Sequence, residues 1–182
     1  MATDVRADPQ LVIPEDIETA VSRVEAIYLA ELARGGVILE VGAQFGFSTI
    51  VLAQTAKLVV SVDWHRGDDW NGWRPSLQIF MDNLARYGVL DRVVAVVARS
   101  EVALPVLWAP FDMAFIDGNH SFHRVLSDAK LSRMQMKRNA PFVFHDYLCP
   151  LTPEVKPAVD QFACGEQYVR RGPGSLAIVG GR

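Results

Sequence analysis

"VILEVGAQFGFSTIVLA" (Val37 to Ala53) holds two glycines four apart, Gly42 and Gly46, with an acid, Glu40, just ahead of them. Val37-Ile38-Leu39 is a short, β-branched apolar run that reads as a strand, and Thr49-Ile50-Val51-Leu52-Ala53 reads as a helix packed on its apolar side. A strand enters the glycine turn and a helix leaves it. Such a unit opens many nucleotide-type cofactor sites, because a helix N-terminus and bare backbone accept a close polar ligand.

The same alternation continues outward from this stretch. Upstream, Pro14-Glu15-Asp16 can open a helix, and Ile17, Val21, Val24, Ile27, Tyr28 and Leu32 keep helical spacing up to Gly35-Gly36. A leading helix over 14–34 is therefore expected, within an N-terminal helical segment 1–36. Downstream, Leu58 to Asp63 reads as a strand, and "WHRGDDWNGWRP" lacks any period and ends at Pro75, as a loop does. Leu77, Phe80, Met81, Leu84 and Tyr87 predict a helix closed by Gly88, Val93 to Ala98 a third strand, and Glu101 to Trp108 a short helix. "FDMAFIDG" and "PFVFHDY" predict the fourth and fifth strands, followed by helices over Phe122 to Met136 and Val155 to Ala163. In the tail, "EQYVRRGPGSLAIVGG" has two β-like runs joined by Gly172-Pro173-Gly174, a hairpin signal. Repeated β/α units demand a parallel sheet covered on both faces. The expected fold is α/β: a doubly wound, mostly parallel seven-stranded sheet with a C-terminal antiparallel hairpin, in one domain, 1–182, whose α/β core is 37–182.

The chain has 182 residues, half of them apolar, and a net charge of -3. With no Lys/Arg cluster, a nucleic-acid partner is not expected, since affinity for a phosphate backbone rests on clustered cations. Cys149 and Cys164 have no metal-type spacing and are too few for a disulfide framework, so reduced thiols and a cytoplasmic location are expected. The polar start, MATDVRADPQ, lacks an apolar export region, and no run approaches the length of a membrane span.

A dinucleotide fingerprint needs G-x-G-x-x-G, with its second glycine against the pyrophosphate. Here Gln44 and Phe45 occupy the space the phosphates need, which disfavours NAD. Glu40 would repel a pyrophosphate and attract a cation, so a ligand carrying an ammonium or sulfonium group is expected. Asp63, 21 positions after Gly42 at a strand end, can accept both hydroxyls of a ribose; its alternative is a turn Asp.

The motif Glu40-Val-Gly42-Ala43-Gln-Phe-Gly46-Phe-Ser48-Thr49 resembles the first motif of class I S-adenosylmethionine-dependent methyltransferases, and more narrowly the small-molecule O-methyltransferases. "SVDWH", "FDMAFIDGNHSFHRVLSD" and "FVFHDY" resemble later segments of the methyltransferase 24 group, in order along most of the chain. The resemblance implies a Rossmann-like methyltransferase fold with S-adenosylmethionine as cofactor. Glu40, Gly42, Ala43, Gly46, Ser48, Asp63, Trp64, Ser100 and Asp117 would bind it: Glu40 on the amine side, Asp63 on the ribose, and Trp64 and Ser100 beside the adenine. Trp64 reads equally as a half-buried core residue, and Arg99 departs from the family by standing where an acid is common.

Asp117 and Asp146 end the fourth and fifth strands, so a parallel sheet turns both toward one crevice. With His145 or Asn119 nearby, this is an oxygen-rich site of the kind Mg²⁺ occupies, and related metal-dependent enzymes use such acids to bind a divalent ion. The competing reading makes Asp117 a turn cap at Gly118 and gives Asp146 a backbone amide. No third carboxylate is evident. His120 and His145 flank the same crevice, and either can take a substrate proton; Asp117, His120 and His145 are the catalytic candidates. His123 and Asp128, read as the start of a solvated helix face, receive no chemistry. The Trp-rich loop can fold over a substrate or serve a subunit contact in a homodimer, and the leading helix can be a lid, a dimer surface or sheet cover.

The expected activity is methyl transfer to a hydroxyl of a small molecule or sugar, with Mg²⁺ as an optional companion. The rivals are a methyltransferase-fold hydroxylase of a natural-product precursor and a non-catalytic cofactor-binding subunit.

Overall fold

Alternation along β1 (Val37–Val41) sets the two faces of the sheet. Ile38 packs into one apolar layer, and Leu39 and Val41 into the other. Both layers are buried over the middle of the sheet, which is why the central strands are mostly Val, Ile, Leu and Phe. The computed structural model describes residues 11–68, 72–108, 110–164 and 169–181. Its other strands are β2 (Leu58–Asp63), β3 (Val93–Val97), β4 (Met113–Ile116), β5 (Phe142–Phe144), β6 (Val169–Arg171) and β7 (Ala177–Val179). They form one seven-stranded sheet in the order β3-β2-β1-β4-β5-β7-β6. β1 to β5 are parallel, and β7 runs antiparallel between β5 and the edge strand β6.

The helices are α1 (Arg23–Ala33), α2 (Phe47–Ala53), α3 (Leu77–Arg86), α4 (Ser100–Ala103), α5 (Phe122–Arg133) and α6 (Val155–Ala163). Apolar residues of α1, α2 and α3 belong to the layer with Ile38, and those of α5 and α6 to the layer with Leu39. The order of strands reverses between β1 and β4. Connections leaving these two neighbours diverge there, and the crevice at their C-terminal ends is the usual ligand position of such sheets.

Several expectations change at the element ends. The leading helix begins at Arg23, nine residues after Pro14, because Ser22 and Glu25 form the capping box that starts it. Pro14 to Ile17 is a hydrogen-bonded turn instead, and Ile17 and Val21 are buried in coil. Asp16 ties this segment to Arg86 and Tyr87 at the end of α3. Val24, expected inward, is exposed. The short helix after β3 is one α turn continued by a 3₁₀ turn over Leu104–Val106, since Pro105 removes a donor. α5 stops at Arg133, three residues early. Residues 1–10 of the leading segment, Trp70 of the Trp-rich loop and Tyr168 of the tail lie outside the described residues. No described helix is long and apolar enough to cross a membrane.

Candidate active site

The first turn is built by contacts within the protein. Gly42 has φ +92, and a Cβ there would lie 2.5 Å from the carbonyl carbon of Asp117, nearer still to its oxygen, and 2.6 Å from Gly118 Cα. Gly42 donates its N–H to Val62 O at 2.9 Å, while Asp117 donates to Val41 O at 2.8 Å. Its bareness thus lets the β1 turn cross the end of β4. Gly46, at φ +90, caps α2 beneath the Phe80 ring.

Asp63 staples this turn. Its Oδ2 accepts the N–H groups of Ala43 at 2.7 Å and Gln44 at 2.8 Å, and its Oδ1 that of His65 at 2.6 Å. A carboxylate has about four lone-pair sites, so capacity is left on a side chain that is 19% exposed. His65, not singled out in the sequence, is buried at φ +54 with its Nδ1 2.9 Å from Ser76 Oγ. Trp64 is half-buried, with the guanidinium groups of Arg66 and Arg99 over its ring at 4.7 and 4.6 Å. Arg99 therefore contributes a cation–π contact where the resemblance leads one to expect an acid.

Glu40 lies on the α2 side of β1 and is completely buried. Ser48, Thr49 and Ser61 donate their hydroxyls to it at 2.6, 2.5 and 2.7 Å, joining β1, α2 and β2. Burial pushes its carboxyl up to about 7, and the three hydroxyls only partly offset this. Asp128 corrects the expected solvated face: it is buried in the middle of α5 and accepts the Ser100 hydroxyl at 2.6 Å. Burial raises its carboxyl to about 6.

At the ends of β4 and β5 the two expected acids do converge, around two histidines. His145 Nδ1 lies 3.3 Å from Asp117 Oδ1 and 3.3 Å from Asp146 Oδ1. His120 Nε2 is 3.0 Å from Asp146 Oδ2 and 4.0 Å from Asp117 Oδ1. Among the described residues neither acid accepts a backbone N–H, as the competing reading requires, and Asp146 itself adopts φ +59, a strained backbone for a residue with a side chain. A third carboxylate, which sequence reasoning missed, comes from α1: Glu25 Oε2 lies 3.7 Å from His145 Nε2. Burial alone would strip His145 of its proton, but Asp117, Asp146 and Glu25 outweigh it and push its pKa up to about 12. Glu25, though disfavoured as an anion by burial, is held down at about 2 by His145, Ser22 and Ser175. His145 is therefore an enclosed imidazolium, whereas His120 keeps 20% of its side chain exposed.

Asp117, His120 and Asp146 each offer one ligand atom within 4.8 Å of the others. Asn119, the other neighbour considered, donates instead to Asp68 at 2.6 Å. Cys149 and Cys164 are both free thiols.

Residues 39–147 match the model of a family described as a methyltransferase domain. Among solved structures, the chain is similar to the O-methyltransferase TomG from Streptomyces achromogenes, involved in tomaymycin synthesis and crystallised with S-adenosylmethionine (25% identity, 89% of this chain and 82% of that one, TM-score 0.70). It is equally similar to cofactor-bound Rv0187 from MTB (26%, 90% and 83%, TM-score 0.70). An rRNA methylase from Streptococcus thermophilus shares the fold at 14% identity (88% and 96%, TM-score 0.61). No curated protein sequence matches the chain.

Proposed function

Because the chain belongs to the methyltransferase-domain family, we propose that it transfers the methyl group of S-adenosylmethionine to a hydroxyl oxygen of a small molecule, with His120 as the proton acceptor. The observation that carries this reading is the pairing of His120 with Asp146 at the end of β5, across the β1–β4 crevice from Asp63. TomG and Rv0187, each crystallised with a cofactor, support the choice of ligand. The net charge of -3 favours a small acceptor over nucleic acid.

When bound, S-adenosylmethionine supplies an electrophilic methyl on a sulfonium. The turn Gly42 to Gly46, with Ala43 against Asp63, would hold it at the switch in strand order, and Asp63 would use its remaining acceptor site for a ribose hydroxyl. Glu40 has no exposed surface, so its part is to fix Ser48 and Thr49 in the first turn of α2. Trp64, after β2, and Ser100, opening α4 after β3, would border the adenine in this reading. His120 would take the acceptor's proton through Nε2, since its Nδ1 is buried, and Asp146 at 3.0 Å and Asp117 at 4.0 Å from that nitrogen would stabilise the imidazolium formed. His145 is not the base in this scheme: enclosed by three carboxylates, it keeps its own proton. Asp117 and Asp146 also fit a divalent ion beside His120, and Mg²⁺ held by the two acids would acidify and orient the acceptor hydroxyl while His120 stays the proton acceptor.

Calorimetric titration with S-adenosylmethionine tests the cofactor first. Saturable binding is expected, weakened about 30-fold (~2 kcal/mol) by Asp63→Ala, which loses acceptor sites for ribose and loosens the turn; no binding by the intact protein at millimolar ligand sinks the proposal. With an acceptor found by screening hydroxylated compounds, His120→Ala is expected to lower kcat about 100-fold with cofactor affinity unchanged. Product mass separates methylation, which adds CH₂, from the hydroxylase alternative, which adds O.

A further inference from the structure

Glu25 stands on α1, outside every segment that carries the methyltransferase resemblance, and its surroundings are not those of a helix cap alone. Its Oε2 accepts the Ser22 N–H at 2.7 Å, as the capping box requires, and also the Ser22 hydroxyl at 2.6 Å. Its Oε1 serves the opposite end of the chain, accepting the Ser175 N–H at 2.7 Å and the Ser175 hydroxyl at 2.9 Å. The hairpin is shaped around this carboxylate. Gly174 has φ +57, and a Cβ there would lie 2.6 Å from Glu25 Cδ.

Two routes lead from Glu25 to the candidate base. One is polar: Oε2 lies 3.7 Å from His145 Nε2, and the other ring nitrogen of His145 lies 3.3 Å from both Asp117 and Asp146. The second runs through backbone: Ser175 Oγ accepts the Asp146 N–H at 3.2 Å, and Ser175 O accepts the Tyr147 N–H at 2.9 Å. Asp146 sits between the two routes in a left-handed conformation, which a residue with a side chain keeps only where surrounding contacts hold it. A buried carboxylate with four hydrogen bonds and an ion-pair neighbour provides such contacts.

We propose that Glu25 is a positioning residue of the transfer site: through His145 and Ser175 it holds Asp146, and with it the ring of His120. The inference rests on His120 being the working base of the proposed reaction, and it assigns α1 and the C-terminal hairpin a part in that site beyond covering the sheet.

The chain has four histidines, so a long-range ¹H–¹⁵N spectrum of their rings reads the network directly without an acceptor. Glu25→Gln keeps the volume and removes the charge. It is expected to shift the ring resonances of both His145 and His120, while His65, beside Ser76, and His123, exposed on α5, stay in place. Ser22→Ala is the control, since it removes a capping contact but leaves those to Ser175 and His145; it is expected to lower the melting temperature and leave His120 unshifted. An unshifted His120 in Glu25→Gln, or an equal shift in Ser22→Ala, overturns the proposal. If Glu25→Gln does not fold, Glu25→Asp decides: it keeps the charge but draws the carboxylate back from both His145 and Ser175, and an unshifted His120 there overturns the proposal as well. Calorimetry with S-adenosylmethionine on the same samples keeps the two readings apart, because absent binding in the wild type removes the methyltransferase reading while the spectra still report whether the rings are linked.

Discussion

Gly42→Ala is expected to destabilise the protein by about 4 kcal/mol and to lower its melting temperature by about 10 °C. Two effects combine. A residue with a side chain held at a positive φ costs about 1–2 kcal/mol, and Gly42 sits at +92. The added methyl also points into main chain, 2.5 Å from the carbonyl carbon of Asp117 and 2.6 Å from Gly118 Cα, where no rotamer change can make room. Relief requires the end of β4 to move away from β1, which stretches the bond from Asp117 N–H to Val41 O. Gly46→Ala makes the contrast: its φ is nearly the same, but its methyl would meet the Phe80 ring at 3.0 Å, and a side chain can yield, so about 2 kcal/mol is expected. Thermal denaturation of the two variants checks this. A Gly42→Ala protein that melts no lower than Gly46→Ala would show that the crossing is looser than described. The displaced Asp117 also makes Gly42→Ala the variant in which the cofactor side and the acid cluster fail together.

The fold was largely legible because its signals are local. Leu58 to Asp63 and Val155 to Ala163 form the expected elements with the expected ends, and Val37 to Ala53 holds the strand, turn and helix read from it. Errors arose where two local signals competed. Pro14-Glu15-Asp16 imitates a helix start, but the Ser22/Glu25 capping box wins, and Ile17 and Val21 are buried without being helical. At the site, acids at strand ends were legible because strand polarity brings Asp117 and Asp146 to one edge. Glu25 was not, since it meets Ser175 across 150 positions and serves a cap in its own neighbourhood. Asp128 was misread for a similar reason: a lone acid in a polar helix reads as solvated, and its partner Ser100 lies 28 positions away. The second demand on Gly42, that an added Cβ would meet Asp117, is not legible either, because Asp117 lies 75 positions on and is adjacent only through the sheet order.

Stability is expected to decline from mildly acidic to mildly alkaline pH, with the melting temperature falling by about 10 °C between pH 5.5 and pH 8.5. Three buried groups drive the decline. Glu40 titrates at about 7 in the folded chain against an ordinary 4.5, so the native state binds its proton more tightly, and stability is lost as pH rises from 4.5 through 7. Asp128, at about 6 against 3.8, acts in the same direction at lower pH. His145, raised from 6.5 to about 12, stabilises fully below pH 6.5 and progressively less above it, at about 1.4 kcal/mol per pH unit. Glu25 opposes them only on the acid side: lowered to about 2, it stabilises fully above pH 4.5 and loses this as pH falls toward 2. Above pH 6.5 every contribution from these groups therefore has the same sign. Two variants separate them. Glu40→Gln is expected to flatten the curve between pH 5 and 7 while leaving its alkaline limb. His145→Gln removes the cation among three carboxylates, so it is expected to lower stability by about 3–5 kcal/mol at pH 6 and to abolish the loss above pH 7, where Glu40 no longer titrates. A wild-type melting temperature that stays level or rises from pH 6.5 to 8.5 would mean that His145 is not the charged centre of the cluster, and Asp117, Asp146 and Glu25 would then need another source of compensation.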